Sequence, residues 1–156
     1  MNAEYTIRNA ISEDEQTIRE LFKEMLRTIN HTDIVEGYES GYLDKFWMDG
    51  EDRIYVAEED EVIAYLSVEV YRKPPTYVYL DDCSVTASHR SKGIGSALIR
   101  TAESYARELK IPVIIFHVNK TNDKAFRLYE RLGYSICRDD GDRYLMQKEI
   151  LQQGAF

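Results

Sequence analysis

Cysteine is scarce in this sequence of 156 residues, which contains only Cys83 and Cys137. Two cysteines are too few for a disulfide scaffold, and their separation does not match the spacing of metal-ligand pairs. We therefore expect free thiols in a reducing, cytoplasmic setting, and we expect no bound metal.

Long apolar runs are also missing. No stretch approaches the ~20 residues that a membrane-spanning helix needs. The first residues, Met-Asn-Ala-Glu-Tyr, lack the basic region followed by an apolar region that marks a secretory signal. We therefore expect no membrane partner. The length and the 44% of apolar residues favour one domain over residues 1–150, followed by a short tail over residues 151–156.

Basic charge is not in surplus, because the formal net charge is −8. Residues 1–64 hold 17 acidic and 6 basic side chains, whereas residues 65–156 hold 11 acidic and 14 basic ones. Nucleic-acid binding requires a basic surface that contacts the phosphates, so we expect no nucleic-acid partner. The asymmetry has two interpretations: the acidic part attracts a cation while the basic part holds an anion, or the acidic helices keep the chain in solution.

The first third of the chain predicts helices. Ser12 followed by Glu15 indicates a capping box, and apolar residues at helical spacing predict an amphipathic helix from about Glu13 to Thr28. Residues 30–50 have a weaker helical spacing that glycines interrupt, which predicts a second, less regular helix able to line a pocket.

The rest of the chain predicts a mixed sheet. Three strands over residues 53–57, 62–71 and 77–85 are joined by short connections, so they should be antiparallel. A helix from Ile94 to Leu109 and an apolar strand over residues 112–118 then indicate a parallel pair with a right-handed crossover. A short helix and a last pair of strands follow. The predicted class is therefore α/β (α+β), with a mostly antiparallel sheet flanked by helices.

The segment from Leu80 to Leu98 carries the clearest functional signal. A strand containing Asp81 and Asp82 leads into a short loop with basic residues and glycines, and the strongest helix of the chain begins there. Glycines let a ligand approach the backbone, and the free N–H groups at a helix start favour an anion such as a phosphate. The loop has neither the three-glycine dinucleotide fingerprint nor a Walker sequence.

Three blocks of sequence together resemble the GNAT superfamily of N-acetyltransferases. They are Tyr-Leu-Asp-Asp-Cys-Ser-Val85, then Arg90-Ser-Lys-Gly93-Ile-Gly95-Ser-Ala-Leu98, then Asn122-x-x-Ala125-x-x-Leu128-Tyr129-x-x-Leu132-Gly133-Tyr134. Their order and spacing agree with the family over roughly residues 77–135. The resemblance implies the acyl-CoA N-acyltransferase fold, in which the central parallel strands splay apart to admit a thioester.

The resemblance also implies how acetyl-CoA, the acyl donor, is bound. The strand end pairs its backbone with the pantetheine arm, as a peptide pairs with a strand edge. The loop amides bind the pyrophosphate, and the last block contacts the pantetheine. The implied donor-binding residues are Cys83, Ser84, Val85, Arg90, Ser91, Lys92, Gly93, Ile94, Gly95, Ser96, Asn122, Ala125 and Tyr129. One departure from the family is Ala87, where many members have proline.

The chemistry of amine acylation requires a proton acceptor, because an alkylamine with a pKa near ~10.4 is protonated at neutral pH. Asp81 and Asp82 are the candidates, and they point to opposite faces of their strand. By analogy with the family we favour Asp81, with Glu69 on the neighbouring strand as an outside candidate. The pair could instead attract a cation without accepting a proton.

The leaving thiolate requires a proton donor. The resemblance assigns this role to Tyr129, whose phenol can protonate a thiolate with only modest tuning; the alternative is a core tyrosine. Cys83 could in principle carry an acyl group, but no histidine lies near it in sequence. We therefore interpret Cys83 as a small buried side chain and expect direct transfer in a ternary complex.

These observations predict an acetyl-CoA-dependent N-acetyltransferase that acts on a primary amine of a small cation. The Leu-Asp-Asp stretch resembles that of polyamine-type acetyltransferases. The alternatives are a protein N-terminal or lysine acetyltransferase and an acyl-CoA-binding module without catalysis. A homodimer is a further expectation, since dimers are common in the family.

Overall fold

The computed structural model describes residues 4–151. Those residues form seven strands, four α-helices and two short 3-10 turns at Ser12–Asp14 and Ala87–His89. The strands are β1 Thr6–Asn9, β2 Arg53–Glu58, β3 Val62–Tyr71, β4 Tyr77–Val85, β5 Val113–Asn119, β6 Ser135–Asp139 and β7 Arg143–Glu149. The helices are α1 Glu15–Asn30, α2 Asp44–Trp47, α3 Ile94–Glu108 and α4 Asp123–Arg131.

One sheet contains all seven strands in the order β1-β2-β3-β4-β5-β7-β6. β4 and β5 pair in parallel, with Val78 opposite Ile114 and Tyr79 opposite Ile115, whereas β1–β2, β2–β3, β5–β7 and β6–β7 are antiparallel. The predicted mostly antiparallel sheet with one parallel pair is therefore confirmed. The predicted splaying of that pair stays a prediction.

The described residues group into two compact units. The first unit comprises residues 4–68 and 82–101, and the second comprises residues 69–81 and 102–151. The prediction of one domain over residues 1–150 is not tested by this grouping. Of the predicted tail, residues 152–156 lie outside the described residues. Within the described part of the chain, no helix combines the length and the apolar character needed to cross a bilayer.

The first unit has its core under α1. Of the apolar positions that predicted this helix, Ile18 and Leu21 are buried, and they pack with side chains of α2, β2 and β3, whereas Ile29 is exposed. The members of this core are Ile18, Leu21, Leu43, Phe46, Ile54, Val56 and Tyr65. Burial of such side chains at roughly 1.5–3 kcal/mol each supplies most of the stability of an amphipathic helix.

The predicted capping box at Ser12 is wrong. Ser12 Oγ donates instead to the neighbouring Glu13, and the carboxylate of Asp14 accepts from the Ile11 amide at 2.8 Å. Asp14 also forms a 2.8 Å ion pair with Arg8, which fixes β1 to the start of the helix. The local sequence pattern does not show this ion pair with Arg8, which holds the first turn in a different arrangement from the predicted capping box.

The predicted irregular helix over residues 30–50 is also wrong. α1 ends before His31, which adopts a left-handed conformation with φ of 53°. Between His31 and Gly50, only the four residues of α2 are helical. Gly41 has φ of 80°, which interrupts any helix. Arg19 holds the segment against α1 by donating to the carbonyl of Tyr38 at 2.7 Å and to that of Glu39 at 3.2 Å.

The second unit is built around β5, β7 and α4. Phe116 on β5 packs against Tyr129 and Tyr134 at centroid distances of 4.6 and 4.7 Å. The buried carboxylate of Glu103 accepts from the Tyr134 hydroxyl at 2.8 Å and pairs with Lys148 at 3.1 Å. A buried carboxylate needs such partners, so this cluster fixes the end of α3 to the strands.

Candidate functional site

The glycine loop between β4 and α3 lies in the first unit and has an unusual backbone. Ser91 and Gly93 both have positive φ, 63° and 81°, and α3 begins immediately afterwards at Ile94. Gly93 is suited to this conformation because it has no side chain to clash with the backbone. The amides of the first turn have no acceptor within the helix, so they are oriented for an anion.

The space over this loop is open. A Cβ atom added to Gly93 or to Gly95 would meet no other atom within 4 Å, apart from the adjacent backbone. Ile94 is only 3% exposed, so its side chain packs into the interior. A loop with a positive-φ backbone and open space beside its two glycines is compatible with the pyrophosphate expected from the sequence.

Arg90 holds the loop in place. Its Nε donates to the carbonyl of Val85 at 2.9 Å, and its guanidinium lies 3.7 Å from Glu24 on α1. These contacts join the loop to the end of β4. Lys92 is exposed and can move toward an anion, so it suits long-range attraction more than positioning.

The side chains at the end of β4 serve packing and do not supply a nucleophile. Ser84 is buried and its hydroxyl donates to the carbonyl of Leu21 at 3.0 Å, so its side chain serves the packing of α1. Burial raises the pKa of the Cys83 thiol to about 12, and the nearby carboxylate of Asp82 contributes to this rise. Cys83 is therefore a neutral thiol at neutral pH, which is a poor nucleophile.

Asp82 is held by a pair of tyrosines within the first unit. The hydroxyl of Tyr38 donates to its carboxylate at 2.5 Å and lies 2.9 Å from the hydroxyl of Tyr65. Because an ionised carboxylate only accepts, Tyr65 donates in turn to Tyr38. Burial raises the pKa of the Tyr38 phenol far above its ordinary value, which keeps this donor protonated.

An aromatic stack continues from this carboxylate. Tyr38 stacks on Phe22 at 3.9 Å and on Tyr42 at 4.8 Å between ring centroids. The sequence analysis missed Tyr38 and Tyr65 as partners of Asp82. The only sequence signal was the run of aromatic residues between 38 and 47. Tyr38 and Tyr65 are 44 and 17 positions from Asp82, which is beyond the reach of any local pattern.

Asp81 and Glu69, the other carboxylates considered, lie in the second unit. Asp81 is exposed, whereas Glu69 is buried and accepts from the Tyr71 hydroxyl at 3.2 Å. Exposure leaves Asp81 accessible to an incoming molecule. Burial and an existing donor make Glu69 less suited to accept a proton.

The third sequence block forms the start and the middle of α4, also in the second unit. Asn122 is the N-cap, and its Oδ1 accepts from the amide of Ala125 at 3.2 Å. The cap uses only the side-chain oxygen of Asn122, and the side-chain NH2 group carries two further N–H donors. Tyr129 is half-buried, with its ring edge-on to Phe116, so its ring position is set by packing.

Neither free cysteine forms part of a metal cluster. Cys83 and Cys137 are unpaired, and within residues 4–151 no three His, Cys, Asp or Glu side chains are grouped to hold an ion.

The comparisons with known proteins agree on one family. The family model described as "Acetyltransferase (GNAT) family" matches residues 16–134. The sequence is 31% identical over 97 residues to streptothricin acetyltransferase of Streptomyces lavendulae, covering 62% of this chain and 51% of that protein. It is 27% identical over 123 residues to an N-terminal acetyltransferase complex ARD1 subunit homolog of Dictyostelium discoideum, covering 76% and 61%. The chain thus spans about half to three fifths of these curated relatives.

Among solved structures, the fold resembles that of yncA from Salmonella typhimurium, which was solved with its cofactor acetyl-CoA. The TM-score is 0.77 at 21% sequence identity, over 98% of both chains.

Proposed function

The chain belongs to the acetyltransferase (GNAT) family, and from this premise we propose that it transfers an acetyl group from acetyl-CoA to a primary amine of a small cationic molecule. The observation that carries the proposal is the glycine loop at the start of α3, where a Cβ added to Gly93 or Gly95 would meet open space. A reducing, cytoplasmic setting, suggested by the two unpaired cysteines, is part of the same proposal.

The donor is proposed to bind through backbone groups. The amides from Arg90 to Ser96 hold the pyrophosphate, and the backbone of Cys83, Ser84 and Val85 aligns the pantetheine arm. Asn122, the N-cap of α4, reaches that arm, and Ala125 leaves room for the cofactor. The thioester of acetyl-CoA supplies the acetyl group, and Tyr129 donates a proton to the sulfur that leaves.

Transfer is proposed to be direct. A covalent route would need Cys83 as a thiolate, and burial keeps it a thiol. We expect Cys83→Ala to keep turnover within about 3-fold of the wild-type rate, because a small apolar side chain replaces a small, half-buried one. Steady-state rates and acetyl-CoA affinity measure this. Loss of turnover with donor binding intact would contradict direct transfer.

The acidic and aromatic groups of the first unit support a cationic acceptor. An ammonium group is stabilised both by a carboxylate and by the faces of aromatic rings, and Asp82 lies beside the stack of Phe22, Tyr38 and Tyr42. We propose that Asp82 attracts the amine. Asp81, which is exposed, is proposed to accept the proton of the amine.

A panel of acceptors tests the substrate class. The panel contains spermidine, an aminoglycoside, amino-acid amides, a peptide with a free N-terminus and a peptide with an internal lysine. We expect release of free CoA with the small cationic amines at least about 10-fold faster than with either peptide. Faster release with a peptide would favour the protein N-terminal or lysine alternative. Tight acetyl-CoA binding with no release would favour a binding module.

A further inference from the structure

Arg90, at the start of the glycine loop, uses few of its hydrogen-bond donors. Its Nε donates to the carbonyl of Val85 at 2.9 Å, and one of its Nη atoms lies 3.7 Å from Oε2 of Glu24 on α1. The second distance is longer than the roughly 2.7–3.2 Å of a hydrogen bond between nitrogen and oxygen. Within the described residues the Nη groups of Arg90 make no hydrogen bond, so most N–H donors of this guanidinium are available to a ligand.

Glu24 is a loose partner for this guanidinium. Its Oε1 accepts from the Thr86 hydroxyl at 3.1 Å, whereas its Oε2 is shielded from solvent and makes no hydrogen bond. Arg8, by contrast, donates to both oxygens of Asp14, at 2.8 and 3.0 Å. A bidentate pair of that kind is the strong form of this interaction, so the contact between Glu24 and Arg90 is one that a second anion can replace.

The base of the glycine loop has supports that do not involve the charge of Glu24. The amide of Thr86 donates to the carbonyl of Ile63 at 2.8 Å, and Arg90 is bound to the carbonyl of Val85. The charge of Glu24 acts against an incoming phosphate in two ways, because it attracts the guanidinium and repels a second anion. Loss of that charge should therefore leave Arg90 in place and make it more available to a phosphate.

We propose that Glu24 is an exchangeable internal anion for Arg90. The pyrophosphate of acetyl-CoA binds the guanidinium in place of Glu24, and the ion pair with Glu24 forms again when CoA leaves. Arg90 thus exchanges one anion for another in every cycle, which lowers the affinity for the product and favours its release, a step that limits many enzymes. The exchange rests on the proposed function, in which the glycine loop binds the donor.

Neutralisation of Glu24 is expected to tighten the binding of CoA. Glu24→Gln keeps a side-chain oxygen that can accept from Thr86, so the packing of α1 should be retained while the charge is lost. We expect the Kd of CoA to fall at least about 3-fold at an ionic strength of about 0.1 M, with the KM of the acceptor unchanged. Calorimetry measures the Kd, and thermal unfolding checks the fold.

The sign of this effect separates the exchange from a structural role, because a variant that only disturbs the loop would bind CoA more weakly. Glu24→Asp is the conservative variant. It retains the negative charge near Arg90, so its Kd for CoA should stay within about 2-fold of the wild-type value.

Glu20 supplies the matched control. It lies one turn before Glu24 on α1, and both side chains line a cavity of about 230 Å³. The exposed carboxylate of Glu20 accepts from Gln16 at 3.2 Å rather than pairing with Arg90. Glu20→Gln removes the same charge from the same cavity, and it should change the Kd of CoA by less than about 1.5-fold, because solvent and salt screen a charge without a direct contact.

A double-mutant cycle with Arg90 tests the exchange itself. Arg90→Gln removes the guanidinium for which Glu24 and the pyrophosphate compete, so it should weaken CoA binding. In that background Glu24→Gln should change the Kd by less than about 1.5-fold, because no shared partner is left.

Three results would overturn the exchange. They are an unchanged or higher Kd in Glu24→Gln, an equal gain of affinity in Glu20→Gln, and a gain from Glu24→Gln that persists without Arg90. Failure of the wild-type chain to bind CoA would overturn the proposed donor site, and the exchange with it. That failure is recognised before any variant is measured.

Discussion

Tyr129→Phe is expected to reduce kcat by about 100-fold while the KM for acetyl-CoA stays within about 3-fold of the wild-type value. The substitution removes only the hydroxyl proposed to protonate the leaving sulfur. The ring keeps its edge-on packing on Phe116 at 4.6 Å, so α4 stays in place. Steady-state kinetics with both substrates varied separate the two parameters.

Tyr144→Phe on β7 is the matched control for this result. It removes a phenolic hydroxyl from the same unit, and it keeps the ring that packs on Phe126 at 5.9 Å. We expect no change in kcat. If Tyr129→Phe turned over as fast as Tyr144→Phe, the hydroxyl of Tyr129 would have no part in proton donation, and the tyrosine would be a packing residue.

Substitution of Gly95 is expected to weaken acetyl-CoA binding without weakening the fold. An added Cβ meets no atom within 4 Å and the residue needs no positive φ, so the protein itself tolerates a side chain there. Gly95→Ala should even raise the free energy of unfolding, by up to ~1 kcal/mol, because alanine favours a helix. The same side chain occupies the space proposed for the pyrophosphate. We expect a graded loss of affinity that reaches at least about 100-fold, or ~2.7 kcal/mol, for Gly95→Leu.

Gly50 supplies the control for this series. A Cβ at Gly50 also meets nothing within 4 Å, and Gly50 lies outside the glycine loop. Gly50→Ala and Gly50→Leu should leave acetyl-CoA affinity unchanged, as measured by calorimetry alongside thermal unfolding. An unchanged affinity in Gly95→Leu would place the pyrophosphate elsewhere. A loss of affinity that follows a loss of folding would also contradict the account.

The sequence predicted those parts of the fold that depend on local periodicity. Strands β3 and β4 agree in both bounds, and α1 and α3 agree to within two residues. The parallel pairing of β4 with β5 followed from the strand-helix-strand order and the handedness of crossovers. The segment after α1 was mispredicted, because Gly41 and the contacts of Arg19 override a weak helical spacing.

The sequence predicted the part of the candidate site that lies within one continuous segment. The loop around Gly93 and Gly95 could be identified because glycine backbone freedom and a helix start lie together in sequence. Partners distant in sequence could not. Tyr38 reaches Asp82 across 44 residues, and Tyr65, which contacts Tyr38, is 17 residues from Asp82. Strand pairing and α1 packing create these contacts, so no spacing rule reveals them.

The most direct measurement is the product balance of one reaction. Wild-type protein is incubated with acetyl-CoA and spermidine, free CoA is titrated as thiol, and the amine is analysed by mass spectrometry. The account predicts one acetylated amine for each CoA released, with no acetyl group left on the protein. A protein that binds acetyl-CoA tightly but forms no acetylated amine across the whole panel, or that accumulates a stable acetyl-protein, would contradict it.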